Sequence, residues 1–292
     1  MTLSYGPILI DQESDYHQRL AACPQVSSDY SFVNLWSWAD IHGLEWAWEP
    51  DLVWIRQRTA AQTTHWAPIG DWTAIDWQAK RDLLGTGFRF DRIPQQLALL
   101  WEAMASPPQA VIPRRGHWDY LYDTESLASL RGNQFHKKKN LVNQFIRNNT
   151  FTYLPFGGEM IEMARDLQSD WCLWRDCESS ETLSAENRAI EKTLTHWDRL
   201  GGLSGGAIMV GDALVAYTIS ESLTKEMVVI HFEKANADFK GAYQAINQMY
   251  LETIQDAFRV VNREQDLDDE GLRKAKLSYN PIGYIEKYEV LF

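Results

Sequence analysis

The sequence predicts a mixed α/β (α+β) fold, in which mainly antiparallel sheets are flanked by helices. The chain has 292 residues, of which 45% are hydrophobic and 12% aromatic, enough to fill a core in either two modules or one large domain. Strand-like runs and helical periodicities alternate along its whole length. In the last third, three strands at meander spacing are followed by a helix and a further strand, which predicts one parallel crossover inside an antiparallel sheet.

The first half begins with a short strand near Pro7 and a helix over residues 31–40. Asp29 precedes this helix as its predicted N-cap, and Gly43 follows as its stop. Gly85, Thr86 and Gly87 are predicted to form a turn, since they lack the third glycine of a dinucleotide-binding loop and lead into a strand. The other predicted elements are strands over 44–49, 51–57, 88–90 and 117–123 and helices over 72–84 and 94–104.

Residues 124–149 are predicted to be helical, and their charge differs from that of the rest of the chain. The whole chain has 28 Lys and Arg against 40 Asp and Glu, a net charge of −12, which excludes a general basic nucleic-acid-binding surface. Between Glu125 and Glu159, however, there is no acidic residue. This predicts a local anion-binding face, with a solvated helix face as the alternative. Its cations are Arg131, Lys137, Lys138, Lys139 and Arg147.

The second half alternates helices with strands. Gly211 and Asp212 predict a tight hairpin between two of the strands. Residues 241–258 have their apolar side chains on one helical stripe, which predicts an amphipathic helix packed on the sheet. The predicted strands are 151–156, 205–211, 213–220, 227–233, 258–262 and 285–292, and the helices are 159–176, 184–200, 241–258 and 268–279.

A first group of candidate functional residues lies on the strand 227–233. Side-chain alternation places His231 and Glu233 on one face of this strand, at its C-terminal end and beside the N-terminus of the next helix. Glu233 is suited there to bind an amine or to act as a general base. The alternative is a solvated sheet face.

A second group follows the strand 258–262. Arg273, Lys276 and Tyr279 recur at intervals of three residues, so a helix would present neighbouring cations. An Arg with a Lys suits phosphate, and the alternative is an ion-pair network with the local acidic residues. The polar residues that leave the strand are Asn262, Arg263, Glu264 and Asp266.

Other classes of site find little support. Residues 202–206 fit the G-x-S-x-G pattern of hydrolases, but a helix precedes them and a strand follows, the reverse of the required order. The seven histidines do not cluster, so no metal site is predicted. Cys23, Cys172 and Cys177 lack C-x-x-C spacing and are predicted to be reduced. Without an apolar run of about 18 residues or a signal peptide, the chain is predicted to be cytoplasmic and to have no transmembrane segment.

Several of these segments resemble an uncharacterised bacterial family related to the C-terminal catalytic domain of phosphatidylglycerol lysyltransferases. The resemblance spans nearly the whole chain, and it implies a tandem pair of GNAT-type (acyl-CoA N-acyltransferase) folds related to the Fem aminoacyltransferases. An N-terminal module would span residues 1–122, basic connecting helices 123–149, and a C-terminal module with the site 150–292. The residues that carry the resemblance are 32–38, 120–145, 231–236, 239–250 and 261–281.

The resemblance implies transfer of an aminoacyl group from aminoacyl-tRNA to a lipid, peptide or small-molecule acceptor, with no bound cofactor. Arg273 and Lys276 would face phosphates, and Glu233 and Asp266 the amino group or the attacking nucleophile, with His231 as a further catalytic candidate. The floor of the site would be residues 262–264, with Tyr279 among the substrate-binding residues. Lys137, Lys138 and Lys139 would contact the tRNA backbone.

Two alternatives remain open. Lys240 and Gly241 are what this sequence retains of the pyrophosphate loop of GNAT enzymes, so one alternative is a coenzyme-A-dependent N-acyltransferase that uses acetyl-CoA. The other is a non-catalytic tRNA- or peptide-binding module, because a fold does not fix a function.

Overall fold

The computed structural model describes residues 3–84 and 87–292, so the predicted turn at Gly85 and Thr86 lies outside the described residues. The chain divides into two compact units. The first comprises Met1–Asp119, Gln265–Arg273 and Tyr284–Phe292, and the second comprises Tyr120–Glu264 and Lys274–Gly283. The last stretch of the chain thus alternates between the units, whereas the sequence assigned all of residues 150–292 to one module.

The helices and strands include the predicted ones together with others that were not predicted, among them a helix at Glu13–Leu20 and strands at Thr63–His65 and Ala110–Pro113. In the first part of the chain they are β1 (Gly6–Pro7), α1 (Glu13–Leu20), α2 (Phe32–His42), β2 (Leu44–Trp48), β3 (Val53–Arg58), β4 (Thr63–His65), α3 (Trp77–Leu84), β5 (Arg89–Pro94), α4 (Gln95–Glu102), β6 (Ala110–Pro113) and β7 (Asp119–Asp123). They continue as α5 (Thr124–Ser129), α6 (His136–Asn148), β8 (Phe151–Pro155), α7 (Met160–Arg175), α8 (Glu181–Thr195), β9 (Leu203–Val210), β10 (Ala213–Ser222) and β11 (Met227–Ala235). The chain ends with α9 (Ala242–Ile254), β12 (Val260–Asn262), α10 (Glu270–Leu277), β13 (Gly283–Ile285) and β14 (Lys287–Leu291).

The first unit contains a sheet with the strand order β1-β2-β3-β4-β5-β14-β6. The pair β4–β5 is parallel, whereas its other described pairs are antiparallel. The closing strand β14 therefore lies between β5 and β6, and its predicted place in the C-terminal module is wrong. The first residue of β14 explains its position in this sheet, because the buried Lys287 binds carboxylates of the first unit.

The second unit contains a sheet in which the order runs β7-β12-β11-β10-β9-β8. The pair β11–β12 is parallel and is connected by α9, which confirms the predicted crossover. The predicted hairpin is also present, because Val210 pairs with Ala213 across Gly211 and Asp212. A mixed α/β fold with two mostly antiparallel sheets is thus confirmed.

The helix caps show one error of the sequence analysis. Ser31 caps α2, its hydroxyl accepting from the N–H of Asn34 at 3.1 Å, whereas Asp29 was predicted to do so. Asp29 is buried and binds Lys287 and Arg92 instead, because a hydrogen bond to a cation is stronger than one to a backbone N–H. Gly43 ends the helix as predicted, in the left-handed conformation at φ 64°.

The cysteines show another error. Cys172 and Cys177 form a disulfide, although they were predicted to be reduced. Asp176 takes a left-handed conformation at the end of α7 and turns the chain back, so that the two Cα atoms lie 4.9 Å apart. Cys23 is a free thiol. None of the helices in residues 3–84 and 87–292 is both long and apolar enough to cross a membrane.

Candidate functional site

The carboxylate of Glu233 lies where the parallel strands β11 and β12 of the second unit end. Because parallel neighbours present their carboxyl ends at the same edge of a sheet, Glu233 of β11 meets Arg263, which follows β12. Arg263 Nη2 donates to Glu233 Oε1 at 3.1 Å, and Asn247 Nδ2 of α9 donates to Glu233 Oε2 at 2.9 Å. Both oxygens of the carboxylate are therefore fixed, while its side chain stays 11% exposed.

Two cations lie close to the ring of Tyr279 in the same place. Arg263 Cζ is 4.7 Å from the ring centroid and Lys138 Nζ of α6 is 4.1 Å from it, both within the range of cation–π attraction. Burial raises the pKa of the Tyr279 hydroxyl, which therefore stays protonated at neutral pH. Burial also lowers the pKa of Lys138, and the charge of Arg263 lowers it further.

Lys276 completes this group of side chains from the end of α10. Its ammonium donates to the backbone carbonyl of Arg263, and its own carbonyl accepts from the hydroxyl of Tyr122 at 2.8 Å. Lys276 therefore fixes the backbone from which Arg263 reaches Glu233. We call the group the Arg263 cluster, and its members are Lys138, Glu233, Asn247, Arg263, Lys276 and Tyr279.

His231 lies in a different environment from Glu233, although both were predicted to share one face of β11. The side chain of His231 is completely buried, with Nδ1 3.0 Å from Glu264 Oε1 and Nε2 3.1 Å from Glu221 Oε2. Burial alone would lower its pKa, but the hydrogen bonds and charges of the two carboxylates raise the pKa to about 9. The ring is thus an imidazolium at neutral pH whose N–H groups are both engaged, and the catalytic role of His231 stays a prediction.

Asn262 supports the turn that follows β12. It is buried, and its side-chain oxygen accepts from the N–H of Glu264 at 2.8 Å. Glu264 itself has a left-handed backbone at φ 56°. Asn262 and Glu264 therefore shape the segment that carries Arg263, and their role as the floor of a site stays a prediction.

Arg273 and Asp266 contact one another in the first unit. Asp266 is buried and accepts from Arg273 Nε at 2.7 Å and from Nη2 at 2.8 Å, a bidentate pair. Arg273 Nη2 also lies 2.7 Å from Asp268 Oδ1, and Arg115 Nη1 lies 3.4 Å from Asp266 Oδ2. Arg273 and Lys276 thus have different partners, as in the ion-pair network that the sequence left open. The phosphate-binding role of Arg273 and the catalytic role of Asp266 stay predictions.

Gly241 has a structural reason to be glycine. It precedes α9 with φ 92°, and a Cβ atom there would lie 2.2 Å from the carbonyl oxygen of Leu141 in α6. The glycine permits α6 and α9 to approach closely, and this explains it without any coenzyme A phosphate. Lys240 beside it is exposed.

The three consecutive lysines of α6 lie on different faces of the helix. Lys137 and Lys139 are exposed, whereas Lys138 is half-buried and reaches Tyr279. The sequence carried a signal for the burial of Lys138, because Lys138, Val142 and Phe145 recur at intervals of four and three residues, on the buried stripe of α6.

Asn247 was not predicted as a site residue. It is a polar residue on the apolar stripe of α9, three residues before Tyr250.

The first unit contains a second group of charges, which the sequence analysis did not identify. Lys287 Nζ donates to Asp119 Oδ1 at 2.7 Å and to a carboxylate oxygen of Asp29, and all three residues are buried. The hydroxyl of Ser28 and Nε2 of Gln265 each donate to Asp119 Oδ1 at 2.8 Å. Because these charged side chains are buried and neutralise one another, they do not form an accessible site.

Comparisons with known proteins place this chain among transferases. The family described as phosphatidylglycerol lysyltransferase, C-terminal, matches residues 20–291. A conserved protein of unknown function from Bacteroides thetaiotaomicron VPI-5482 is 28% identical, with a TM-score of 0.90 over 100% of both chains. An uncharacterised protein of Mycoplasmoides gallisepticum is 24% identical over 175 residues. The matched region covers 59% of this chain and 55%, about half, of the length of that curated relative.

Two further solved structures share the fold at low identity. L-PGS from Bacillus licheniformis is 12% identical with a TM-score of 0.64, over 95% of this chain and 91% of that one. FemX is 8% identical with a TM-score of 0.56, over 99% of this chain and 98% of that one. The predicted fold class is confirmed by these likenesses.

Proposed function

The chain belongs to the family of phosphatidylglycerol lysyltransferase C-terminal domains, and from this premise we propose that it is an aminoacyltransferase. It takes an aminoacyl group from aminoacyl-tRNA in the cytoplasm and passes it to a lipid, a peptide or a small molecule with a free amine or hydroxyl. The observation that carries the proposal is Glu233, a carboxylate held from both sides by Arg263 and Asn247 at the end of the parallel strands.

The proposed reaction is the transfer of an acyl group between two nucleophiles. The acceptor amine or hydroxyl attacks the carbonyl carbon of the aminoacyl ester, and the bond from that carbon to the ribose oxygen breaks. The proton that the acceptor loses ends on the ribose oxygen, so the reaction is balanced without an oxidant or a metal.

Glu233 binds the ammonium group of the aminoacyl moiety in this proposal. An ionised carboxylate has about four lone-pair positions, and two hydrogen bonds from Arg263 and Asn247 leave capacity for the substrate. The ammonium group of an aminoacyl ester is bonded to the Cα atom next to the carbonyl carbon, so this contact would position the ester for attack.

The exposed cations of the basic helices supply the proposed contact with tRNA. Arg131, Lys137, Lys139 and Arg147 are exposed, and no acidic residue lies among them between Glu125 and Glu159. Such a face can bind a polyanion although the whole chain is negative, and its affinity for tRNA should fall steeply as the salt concentration rises.

The function is tested by incubating the purified protein with a pool of aminoacylated tRNA and candidate acceptors, and measuring loss of the ester and labelled product. We expect Glu233→Gln to lower kcat/KM about 100-fold, because the neutral amide keeps the shape but loses the charge that binds the ammonium. Glu226→Gln is the matched control, since Glu226 is exposed in the turn before β11.

Full activity of Glu233→Gln would remove Glu233 from the proposed reaction. If the wild-type protein deacylates no aminoacyl-tRNA and transfers to no acceptor, the aminoacyltransferase proposal itself is wrong. Acetyl-CoA, tested beside the tRNA pool, then decides whether the coenzyme A alternative replaces it.

A further inference from the structure

Lys138 is a half-buried cation that lies close to the ring of Tyr279, as a second cation, Arg263, also does. Its ammonium lies 4.1 Å from the Tyr279 ring centroid, and Arg263 lies 4.7 Å from the same centroid. Among the described residues, no carboxylate forms an ion pair with Lys138, whereas Arg263 is paired with Glu233. Placing a second positive charge beside a buried guanidinium costs free energy unless an anion joins them.

Arg263 also has an unused donor. Its Nη2 binds Glu233 and the Tyr279 hydroxyl lies close to the guanidinium, but Nη1 is buried and has no acceptor with strict hydrogen-bond geometry in the described part of the chain. Native proteins rarely leave a buried donor without an acceptor, because the lost hydrogen bond is not replaced by water. The side chain as a whole remains 16% exposed, so a ligand can approach it from solvent.

The charge and the shape of the cluster favour phosphate. Lys138 and Arg263 supply two cations against one carboxylate, Glu233, which leaves positive charge in excess around Tyr279. A planar guanidinium next to a point charge on a flexible stem is the combination that suits tetrahedral phosphate oxygens.

We propose that Lys138 and Nη1 of Arg263 bind a phosphate group of the substrate, and that Lys138 alone among Lys137, Lys138 and Lys139 belongs to the site. This rests on the proposed function, since the phosphate would enter with the nucleotide end of the donor or with a phosphorylated acceptor. Glu233 would then hold the ammonium group while Lys138 and Arg263 hold the phosphate of the bound molecule.

The test measures phosphate binding by isothermal titration calorimetry, so that no turnover is needed. Inorganic phosphate is titrated at constant ionic strength into the wild-type protein and into Lys138→Gln. We expect Lys138→Gln to weaken binding about tenfold, the loss of one charge-assisted hydrogen bond. Lys225→Gln, which changes an exposed lysine in the turn before β11, should bind phosphate as the wild type does.

Two further probes distinguish the source of the phosphate. The dinucleotide cytidylyl-adenosine represents the end of a tRNA, and glycerophosphoglycerol represents a lipid headgroup. The probe that binds more tightly and loses more affinity in Lys138→Gln identifies the substrate that brings the phosphate. Lys138→Arg, which keeps the charge, should retain most of the affinity and guards against misfolding of the Gln variant.

Three results would overturn the inference: no phosphate binding to the wild-type protein, equal weakening in the Lys138→Gln and Lys225→Gln variants, or no weakening in Lys138→Gln. Equal weakening would mean that phosphate binding depends only on the net charge of the protein. Binding that depends on Lys138, in a protein that transfers no aminoacyl group, would support the phosphate site while the proposed function fails.

Discussion

Individual buried charges in this chain are neutralised by one or two opposite charges close by. Lys287 lies between Asp29 and Asp119 in the first unit, and His231 lies between two glutamates in the second. A buried ion pair contributes little net stability when it forms, but removing one partner leaves the other uncompensated. These residues are therefore where single substitutions should have their largest effects.

Lys287→Met should lower the free energy of unfolding by about 3–5 kcal/mol, because Asp29 and Asp119 lose the cation between them. Arg92 still binds Asp29, which favours the lower end of this range. The measurement is urea unfolding followed by tryptophan fluorescence. The exposed Lys225→Met should change stability by less than about 0.5 kcal/mol, and equal stability of the two variants would contradict the prediction.

His231 should make stability fall as the pH rises above neutral. Its pKa is raised to about 9 in the folded protein, above the ordinary value of 6.5, so its contribution is fully present below about pH 6.5. That contribution, up to roughly 3 kcal/mol, is lost as the pH rises through 9. Urea unfolding at pH 6, 7.5 and 9 should show this decline in the wild type, and His231→Gln should lack it. Parallel pH profiles would mean that His231 is uncharged in the folded state.

At the level of helices and strands, substitutions at two glycines should differ in cost, because one would cause backbone strain alone and the other backbone strain with steric overlap. Gly211 has φ 59° with open space around it, whereas Gly241 has φ 92° and its backbone would place a Cβ atom 2.2 Å from the Leu141 carbonyl oxygen. Gly211→Ala should lower the free energy of unfolding by about 1 kcal/mol, and Gly241→Ala by about 2–4 kcal/mol, since α6 and α9 must move apart. Equal effects in thermal or urea unfolding would show that α6 adjusts freely.

The elements themselves were predictable where their signals are local. Gly43 and the Gly211–Asp212 hairpin were found because a positive φ or a two-residue turn depends on the residues at that place. Asp29 was misread for the opposite reason. Its partners, Arg92 and Lys287, are distant in sequence, and the residues near Asp29 do not predict these contacts.

For the whole molecule, the sequence predicted the strands that carry the site better than it predicted which side chains contact one another there. Once β11 and β12 were recognised as a crossover pair, Glu233 and Arg263 had to lie at one edge of the sheet. That Arg263 turns to Glu233, and Arg273 to Asp266, depends on which charge is nearest in three dimensions. Lys138 joins the cluster from a helix more than a hundred residues earlier, a contact that no local periodicity specifies.

The position of β14 between β5 and β6 has a consequence for biosynthesis. A ribosome adds about 5–20 residues per second, so β5 waits roughly 10 to 40 seconds before its neighbour β14 has been made. During that time the strands of the first sheet have an open edge on which other nascent chains can assemble. The strands of the second unit from β7 to β12 are all translated before β14, so they can pair while the first sheet still lacks the strand between β5 and β6.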